Sequence, residues 1–301
     1  MDNRIAMPAK GTLLKLIDEV SEKALSSGAL LPIHTGSEYI EDGGVCFVVR
    51  ILSNLVRKDE DRLKRAQEKR GNPFLPYEKE LFVAEIGPAH IALLNKFNVM
   101  DRHLLLVTRE FEDQEELLTP ADFSALWTCM AEYEAIGFYN GGEAAGASQA
   151  HKHLQIVPLP LAGQGPAVPI GPLVDEVGLE GRITRLRSFR FRHCFARLDA
   201  EGSGFPHEPE KQWFALYRAM LSKLGMSVPN EKERVRQSAP YCLLVTRNWM
   251  LLVPRSREFY GGVSVNSLGF AGCLLVRNAE QFELVGKMGP LELLRAVSVP
   301  D

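Results

Sequence analysis

Residues 140–157 read N-G-G-E-A-A-G-A-S-Q-A-H-K-H-L-Q-I-V, and they hold the side chains of this chain best suited to chemistry. A loop of small residues (Gly141, Gly142, Ala144, Ala145, Gly146, Ala147 and Ser148) runs into His151, His153 and Gln155 at steps of two. On a strand those three side chains share one face, with Lys152, Leu154 and Ile156 on the other. A glycine-rich loop exposes backbone N–H groups that can cradle a phosphate. Two imidazoles and an amide beside such a loop suit nucleotidyl transfer through a histidine.

Other readings of the pair exist. Histidines two residues apart also arise without function, and at this spacing they can share a zinc ion. A structural zinc site would need further Cys or His partners close by. The five cysteines, Cys46, Cys129, Cys194, Cys242 and Cys273, are scattered and form no C-x-x-C. A catalytic zinc could still use His90 or His103 as a third ligand. The glycine-rich approach and the in-phase Gln155 favour phosphate chemistry over metal.

The stretch G-A-S-Q-A-H-K-H-L-Q resembles the signature of the ATP adenylyltransferases, or diadenosine tetraphosphate phosphorylases, of the histidine-triad superfamily, which also contains galactose-1-phosphate uridylyltransferase. The resemblance continues upstream in N-P-F-L-P-Y (72–77), H-I-A-L-L-N-K-F (90–97) and H-L-L-L-V-T-R-E-F (103–111). Gln114 and L-T-P-A-D (118–122) follow. Downstream, W-M-L-L-V-P-R (249–255) and V-N-S-L-G-F-A-G (265–272) extend it over most of the chain, in order.

The resemblance implies that His153, the second His of H-x-H-x-Q, attacks the α-phosphate and forms an adenylyl-histidine. A neutral imidazole is a good nucleophile near pH 7 and a competent leaving group once phosphorylated. His151 then orients the site or hydrogen-bonds the phosphoryl group. Gln155 stands where the hydrolases of the superfamily carry a third His. An amide can donate to a non-bridging oxygen but is a poor proton shuttle. The resemblance thus implies transfer of AMP to phosphate or a nucleotide rather than to water.

Such transfer rests on positioning and charge neutralisation. Ser148 and Gln149, with the backbone of Gly146 and Ala147, match the family's phosphate-binding G-A-S-Q, and Asn140 its nucleotide-contacting Asn. Lys96, preceded by Asn95, is a candidate for the polyphosphate, and Arg50 lies where the family has a basic substrate-binding residue. Arg277 ends the apolar run G-C-L-L-V-R, which reads as a buried strand with its charge at the mouth. Asn266, Gly269 and Gly272 are candidates for shaping the adenosine pocket, although turn packing explains the glycines equally well. Polyphosphates usually bind with Mg²⁺, which is expected to arrive with the substrate. No tightly bound zinc is expected.

Composition sets the frame. The 301 residues are 46% hydrophobic and 24% charged, an ordinary globular balance. A net charge of −3 argues against a broad nucleic-acid surface. Unpatterned cysteines, no membrane-length apolar run and no signal-peptide core at the N-terminus point to a cytoplasmic setting. The expected partners are small-molecule nucleotides (diadenosine polyphosphates, ATP, ADP and phosphate), with no nucleic acid and no membrane.

Around the motif, 12–26 reads as an amphipathic helix and 45–52 as a strand. The charge-rich run 57–70 interleaves acids and bases and reads as a solvated arm. Three strands at 82–86, 91–97 and 104–108 suggest an antiparallel meander. Thr119, Pro120 and Asp122 open a helix expected to reach about 138. Pro and Gly make 158–172 a loop. The basic, aromatic run 185–197 allows a nucleic-acid reading, but a strand with one buried face accounts for it better. A helix at 208–224, a hairpin of 241–246 with 249–254, a strand at 271–276 and a helix at 291–296 complete the chain. Segregated strands and helices predict an α+β fold, a histidine-triad-like antiparallel sheet flanked by helices. The two expected regions are an N-terminal catalytic part, 1–165, and a C-terminal part, 173–301. The implied reaction is reversible phosphorolysis of diadenosine tetraphosphate to ADP and ATP. The alternatives are a related uridylyl or guanylyl transferase and a binding protein that senses dinucleotides. The zinc-binding cysteines of many uridylyltransferases have no counterpart here.

Overall fold

Leu13, Ile17 and Ala24 recur at helical spacing, and α1 (Leu13–Ser27) buries all three. Gly28 closes that helix in the left-handed region at φ 76°. The computed structural model describes residues 8–52, 71–178, 183–198, 208–227 and 235–301, so the charged run 57–70 lies outside the described residues.

The strands are β1 (Thr35–Asp42), β2 (Val45–Leu52), β3 (Phe82–Ile86), β4 (His90–Leu94), β5 (Leu104–Thr108), β6 (Ala135–Gly141) and β7 (His153–Pro158). After them come β8 (Cys194–Arg197), β9 (Tyr241–Val245), β10 (Trp249–Pro254), β11 (Phe259–Tyr260), β12 (Val263–Ser264) and β13 (Cys273–Val276). The later helices are α2 (Pro120–Met130), α3 (Gly171–Asp175), α4 (Pro209–Lys223), α5 (Ala279–Met288) and α6 (Pro290–Val297). An eight-stranded sheet runs β3-β4-β5-β7-β6-β9-β10-β8, with every neighbouring pair antiparallel. Because β6 pairs with β9, the sheet crosses from the N-terminal to the C-terminal half without a break. A second sheet, β1-β2-β13, joins β2 to β13 in parallel, and β11 and β12 form a short ribbon. This is the α+β architecture that the sequence predicts.

Alternation along the central strands builds two cores. Leu104, Leu106, Leu154, Ile156, Leu243 and Val245 enter the core beneath α1, α2 and α4. Ile136, Phe138, Leu244 and Leu251 enter the opposite core, shared with the second sheet, α5 and α6. Over β4 and β5 this second face has another cover: Ile91, Leu93, Leu105 and Val107 pack with Phe74, Tyr77 and Phe82. His153 pairs with Val107 and Gln155 with Leu105, so both emerge beside this apolar patch.

Some elements depart from expectation. The helix opened by Thr119 ends at Met130, and Ala135–Gly141 is a strand at the centre of the sheet. Its run A-I-G-F-Y carries β-branched and aromatic residues that fit a sheet buried on both sides. The strand expected at 91–97 stops at Leu94, and the strand expected at 271–276 begins at Cys273, after a short 3₁₀ turn Ser267–Ala271. In the basic run only Cys194–Arg197 is a strand, yet Leu186, Phe189 and Phe191 are buried while Arg185, Arg187 and Arg190 face solvent. β1 and α5 escape the sequence patterns. β1 is polar because its strand face is mostly open, and α5 buries only Val285 fully. No helix among the described residues is long and apolar enough to cross a membrane.

Candidate active site

His153 is held at both its backbone and its ring. Its N–H donates to Gln114 Oε1 at 2.8 Å, and Gln114 Nε2 donates in return to the carbonyls of Asn140 (2.9 Å) and His153 (3.2 Å). His153 Nδ1 lies 2.9 Å from the His151 carbonyl. A carbonyl only accepts, so Nδ1 carries the proton and Nε2 keeps its lone pair. Nε2 has no hydrogen-bond partner among the described residues. Burial pushes the His153 imidazolium down to about pKa 4; the bond to the His151 carbonyl works against this and the charge of His151 adds to it. The ring is therefore neutral at physiological pH.

His151 is committed at both nitrogens. Nε2–H donates to the Thr108 carbonyl at 2.8 Å, and Nδ1 accepts from Asn72 Nδ2 at 3.0 Å. Asn72 is itself fixed, since its Oδ1 accepts the Phe74 N–H at 2.9 Å. Of the two roles expected of His151, this geometry supports orientation: its carbonyl sets the tautomer of His153. The rings of Phe74 and Phe111 lie 5.6 and 5.5 Å from the His151 ring, and Phe74 also lies 5.4 Å from His153.

Gln155 accepts at Oε1 from His103 Nε2–H (2.9 Å), and His103 Nδ1 accepts from Asn95 Nδ2 (3.2 Å). Burial pushes His103 down to about pKa 4, with the Gln155 bond opposing and His153 adding to the shift. A neutral His103 bonded this way dictates which end of the Gln155 amide faces it, and the NH₂ is turned elsewhere as a donor. Sequence reasoning names His103 only as a possible zinc ligand and leaves Gln114, Asn72 and Thr108 without roles. Polar partners that meet only across neighbouring strands and loops leave no periodic signal.

Lys152, between the two histidines, points to the other side of the sheet and is fully buried. Its Nζ meets Asp122 Oδ2 at 3.0 Å, Glu112 Oε2 at 3.2 Å and the Leu117 carbonyl at 3.0 Å. Asp122 also takes His90 Nε2 at 2.8 Å and closes a capping box with Thr119. His90 follows Ala92 and Leu94 onto this helix-covered face. It therefore cannot join His151 and His153 around one ion, and the third-ligand reading of His90 falls on geometry. Among the described residues no group of three or more His, Cys, Asp or Glu is arranged to hold a metal.

The small-residue loop is backed by the C-terminal half. Its 3₁₀ turn Glu143–Ala145 ends at Gly146, whose φ of 92° suits glycine, and a Cβ there would sit 3.0 Å from Asn266 Cβ. Asn140 Oδ1 accepts from Ser267 N–H (2.9 Å) and Oγ (2.6 Å). Arg255, buried over the Phe270 ring at 5.2 Å, donates to the Ala145 carbonyl at 3.4 Å. The amides of Gly146 and Ala147 are already taken by the carbonyls of Glu143 and Gly142. Of the G-A-S-Q segment, the backbone donors left for an anion are those of Ser148 and Gln149, which meet no acceptor among the described residues. Gly269 and Gly272 are required by packing: a Cβ would sit 2.8 Å from Val265 Cγ1 and 2.6 Å from Pro169 Cβ, respectively.

Among the described residues no hydrogen bond or ion pair joins the remaining candidates to His153. Lys96 Nζ pairs with Glu78 at 2.6 Å. Arg50 donates to the Leu161 carbonyl at 3.2 Å and lines a cavity of about 440 Å³ with Ile33, His34 and Asn98. Arg277 is exposed at the end of β13.

The chain is similar to known proteins over nearly its whole length. The family model described as Ap4A phosphorylase N-terminal domain matches residues 3–176, and that described as ATP adenylyltransferase C-terminal domain matches 187–300. Diadenosine 5′,5‴-P1,P4-tetraphosphate phosphorylase 2 of Saccharomyces cerevisiae is 28% identical, with 86% of each chain covered. Protein APA1 of the same yeast is also 28% identical, over 93% of this chain and 91% of its own. The crystal structure of the yeast Ap4A phosphorylase Apa2 superimposes with a TM-score of 0.77 at 24% identity, covering 98% of this chain and 99% of that one. A structure of Apa2 in complex with Ap4A gives 0.75 at 23% identity, covering 98% of this chain and 99% of that one.

Proposed function

Since the chain belongs to the family of Ap4A phosphorylases and ATP adenylyltransferases, we propose that it cleaves diadenosine tetraphosphate by phosphorolysis, releasing ADP and ATP, reversibly and through an adenylyl-histidine. The observation that carries this reading is the state of His153: anchored at Nδ1, neutral and, among the described residues, unpartnered at Nε2.

His153 Nε2 attacks an α-phosphorus, the N–P bond forms, and the P–O bond to the leaving ATP breaks. The ring takes on positive charge while Nδ1–H stays on the His151 carbonyl, so no proton has to move. Inorganic phosphate then attacks the same phosphorus, the N–P bond breaks, and ADP leaves with His153 neutral again. The Gln155 NH₂ and the amides of Ser148 and Gln149 donate to the phosphoryl oxygens, where charge develops. Gln155 in place of a third imidazole favours phosphate over water as acceptor, because an amide cannot take the proton of an attacking water as an imidazole can. Asn140 and Asn266 hold the loop, Asn95 acts through His103, and Arg50, Lys96 and Arg277 attract the polyanion from further off. Five free thiols, four of them buried, fit a reducing, cytoplasmic setting.

The test is product analysis. With phosphate present, diadenosine tetraphosphate should yield equimolar ADP and ATP, and omitting phosphate should stop steady turnover. Equally fast cleavage to AMP without phosphate would make the protein a hydrolase.

The metal requirement divides in the same way. Polyphosphate oxygens are hard donors that carry Mg²⁺ themselves, and the ion spreads their charge. The imidazole nitrogens of His151 are already hydrogen-bonded, which leaves little for zinc. Elemental analysis should find well under one zinc per chain, and activity lost to a chelator should return with Mg²⁺ alone. Stoichiometric zinc, with recovery only on adding zinc, would overturn the role given to His151.

A further inference from the structure

A substrate with two nucleosides needs two places for bases, and the adenylyl-transfer chemistry at His153 accounts for only one of them. Along β7 the polar groups run in order. Gln155, with His103 and Asn95, stands at one end, His153 is in the middle, and His151 is at the end nearest the small-residue loop. In-line displacement expels the leaving group on the side of the phosphorus opposite His153 Nε2, and with the attacked nucleoside at the Gln155 end the rest of a dinucleotide has the His151 end of the row open to it. At that end stands Phe111. It is 53% exposed, a value shared among the described phenylalanines with Phe259, and its ring centroid is 5.5 Å from the His151 ring at an interplanar angle of 59°. Leu75, 44% exposed, follows directly on Phe74, which touches His151 at 5.6 Å. One exposed aromatic ring, that of Phe111, thus stands at the His151 end of the catalytic row.

Phe111 is set among carboxylates: Glu110 precedes it, and Glu112 and Asp113 follow. Lys152 reaches Glu112, and Arg236 approaches Asp113 at 3.8 Å, so part of this charge is answered from the protein side. An acidic surround repels phosphate oxygens. It accepts the exocyclic N–H donors of a purine while the π face stacks on the ring. We propose that Phe111 is the stacking platform for the distal adenine, the base of the ATP that leaves, and so distinguishes dinucleoside from mononucleotide ligands. This rests on the phosphorolysis reading of the same site.

The test uses the His153→Ala variant, which cannot turn over its ligand, titrated calorimetrically with diadenosine tetraphosphate and, separately, with AMP. Adding Phe111→Ala should weaken the dinucleotide about tenfold, the usual worth of one base on one aromatic ring, and leave AMP within about twofold. Phe111→Trp in the same background should restore dinucleotide affinity. Equal weakening of both ligands, or of neither, would overturn the platform. A His153→Ala parent that binds AMP but gains nothing from the second nucleoside would also overturn it, with the phosphorolysis reading left standing. A parent that binds neither ligand would overturn the phosphorolysis reading itself.

Discussion

His153→Ala should lose turnover by about 10⁴-fold or more while keeping much of its nucleotide affinity, because it removes the atom that forms the covalent intermediate and few of the contacts that bind substrate. Single-turnover kinetics without phosphate separates the outcomes. The wild-type enzyme should release ATP in a burst and retain the adenylyl group on the protein, and the variant should show no burst. The pH dependence gives an independent check. Burial holds His153 near pKa 4, so the nucleophile stays unprotonated down to that range, and kcat/KM should fall only as the pH drops towards 4. An acid limb near the ordinary imidazole value of about 6.5 would mean that another group controls the step. His151→Ala should cost less, since it removes an orienting ring but leaves the carbonyl at position 151 that fixes Nδ1 of His153. A His153 variant with near-wild-type rate would end the mechanism.

The sequence made some of this legible and hid the rest for physical reasons. The H-x-H-x-Q alternation and the small-residue loop are local features, set by the period of a strand and the freedom of glycine, so they can be read directly. The same holds for α1, for β2 and for the hairpin of β9 and β10, whose patterns are continuous. Hidden were the groups that work by meeting across the fold: Gln114 clasping the His153 backbone, Asn72 on the His151 ring, and His103 fixing the Gln155 amide. Each is an ordinary polar residue until the register of β5 against β7 is known. The strand Ala135–Gly141 was obscured because a central strand buried on both faces lacks alternation and reads as a continuation of the helix before it. The cations are legible by type but not by partner: Lys96 holds Glu78 and Arg50 a backbone carbonyl, contacts that no local pattern gives.

The buried ions behind the catalytic strand carry the second large effect. Asp122, Lys152 and His90 are each at most 2% exposed, and they join the capping box of α2 to β4 and to the residue between the two site histidines. Burial alone would raise the Asp122 carboxyl, but Lys152, with help from His90 and the Thr119 backbone, outweighs burial and holds it well below the usual carboxylate range. Asp122→Ala leaves the Lys152 ammonium buried with Glu112 as its remaining acid, strips His90 of its acceptor and opens the capping box. Removing one partner of a buried pair typically costs about 3–5 kcal/mol, a large part of a domain's stability. The sign of the pH dependence follows from the depressed carboxyl: its contribution is complete above the ordinary carboxylate range and is lost as the pH falls towards the lower native value. Urea titrations should therefore show the gap between wild type and Asp122→Ala at its full size near pH 7 and narrowing as the solution is acidified below about pH 4. A gap that is absent at pH 7, or that widens in acid, would mean that the ion network does not hold this strand. A variant that is destabilised but still folded should also lose kcat more than nucleotide affinity, because Lys152 lies between His151 and His153 and a shift of its backbone moves both.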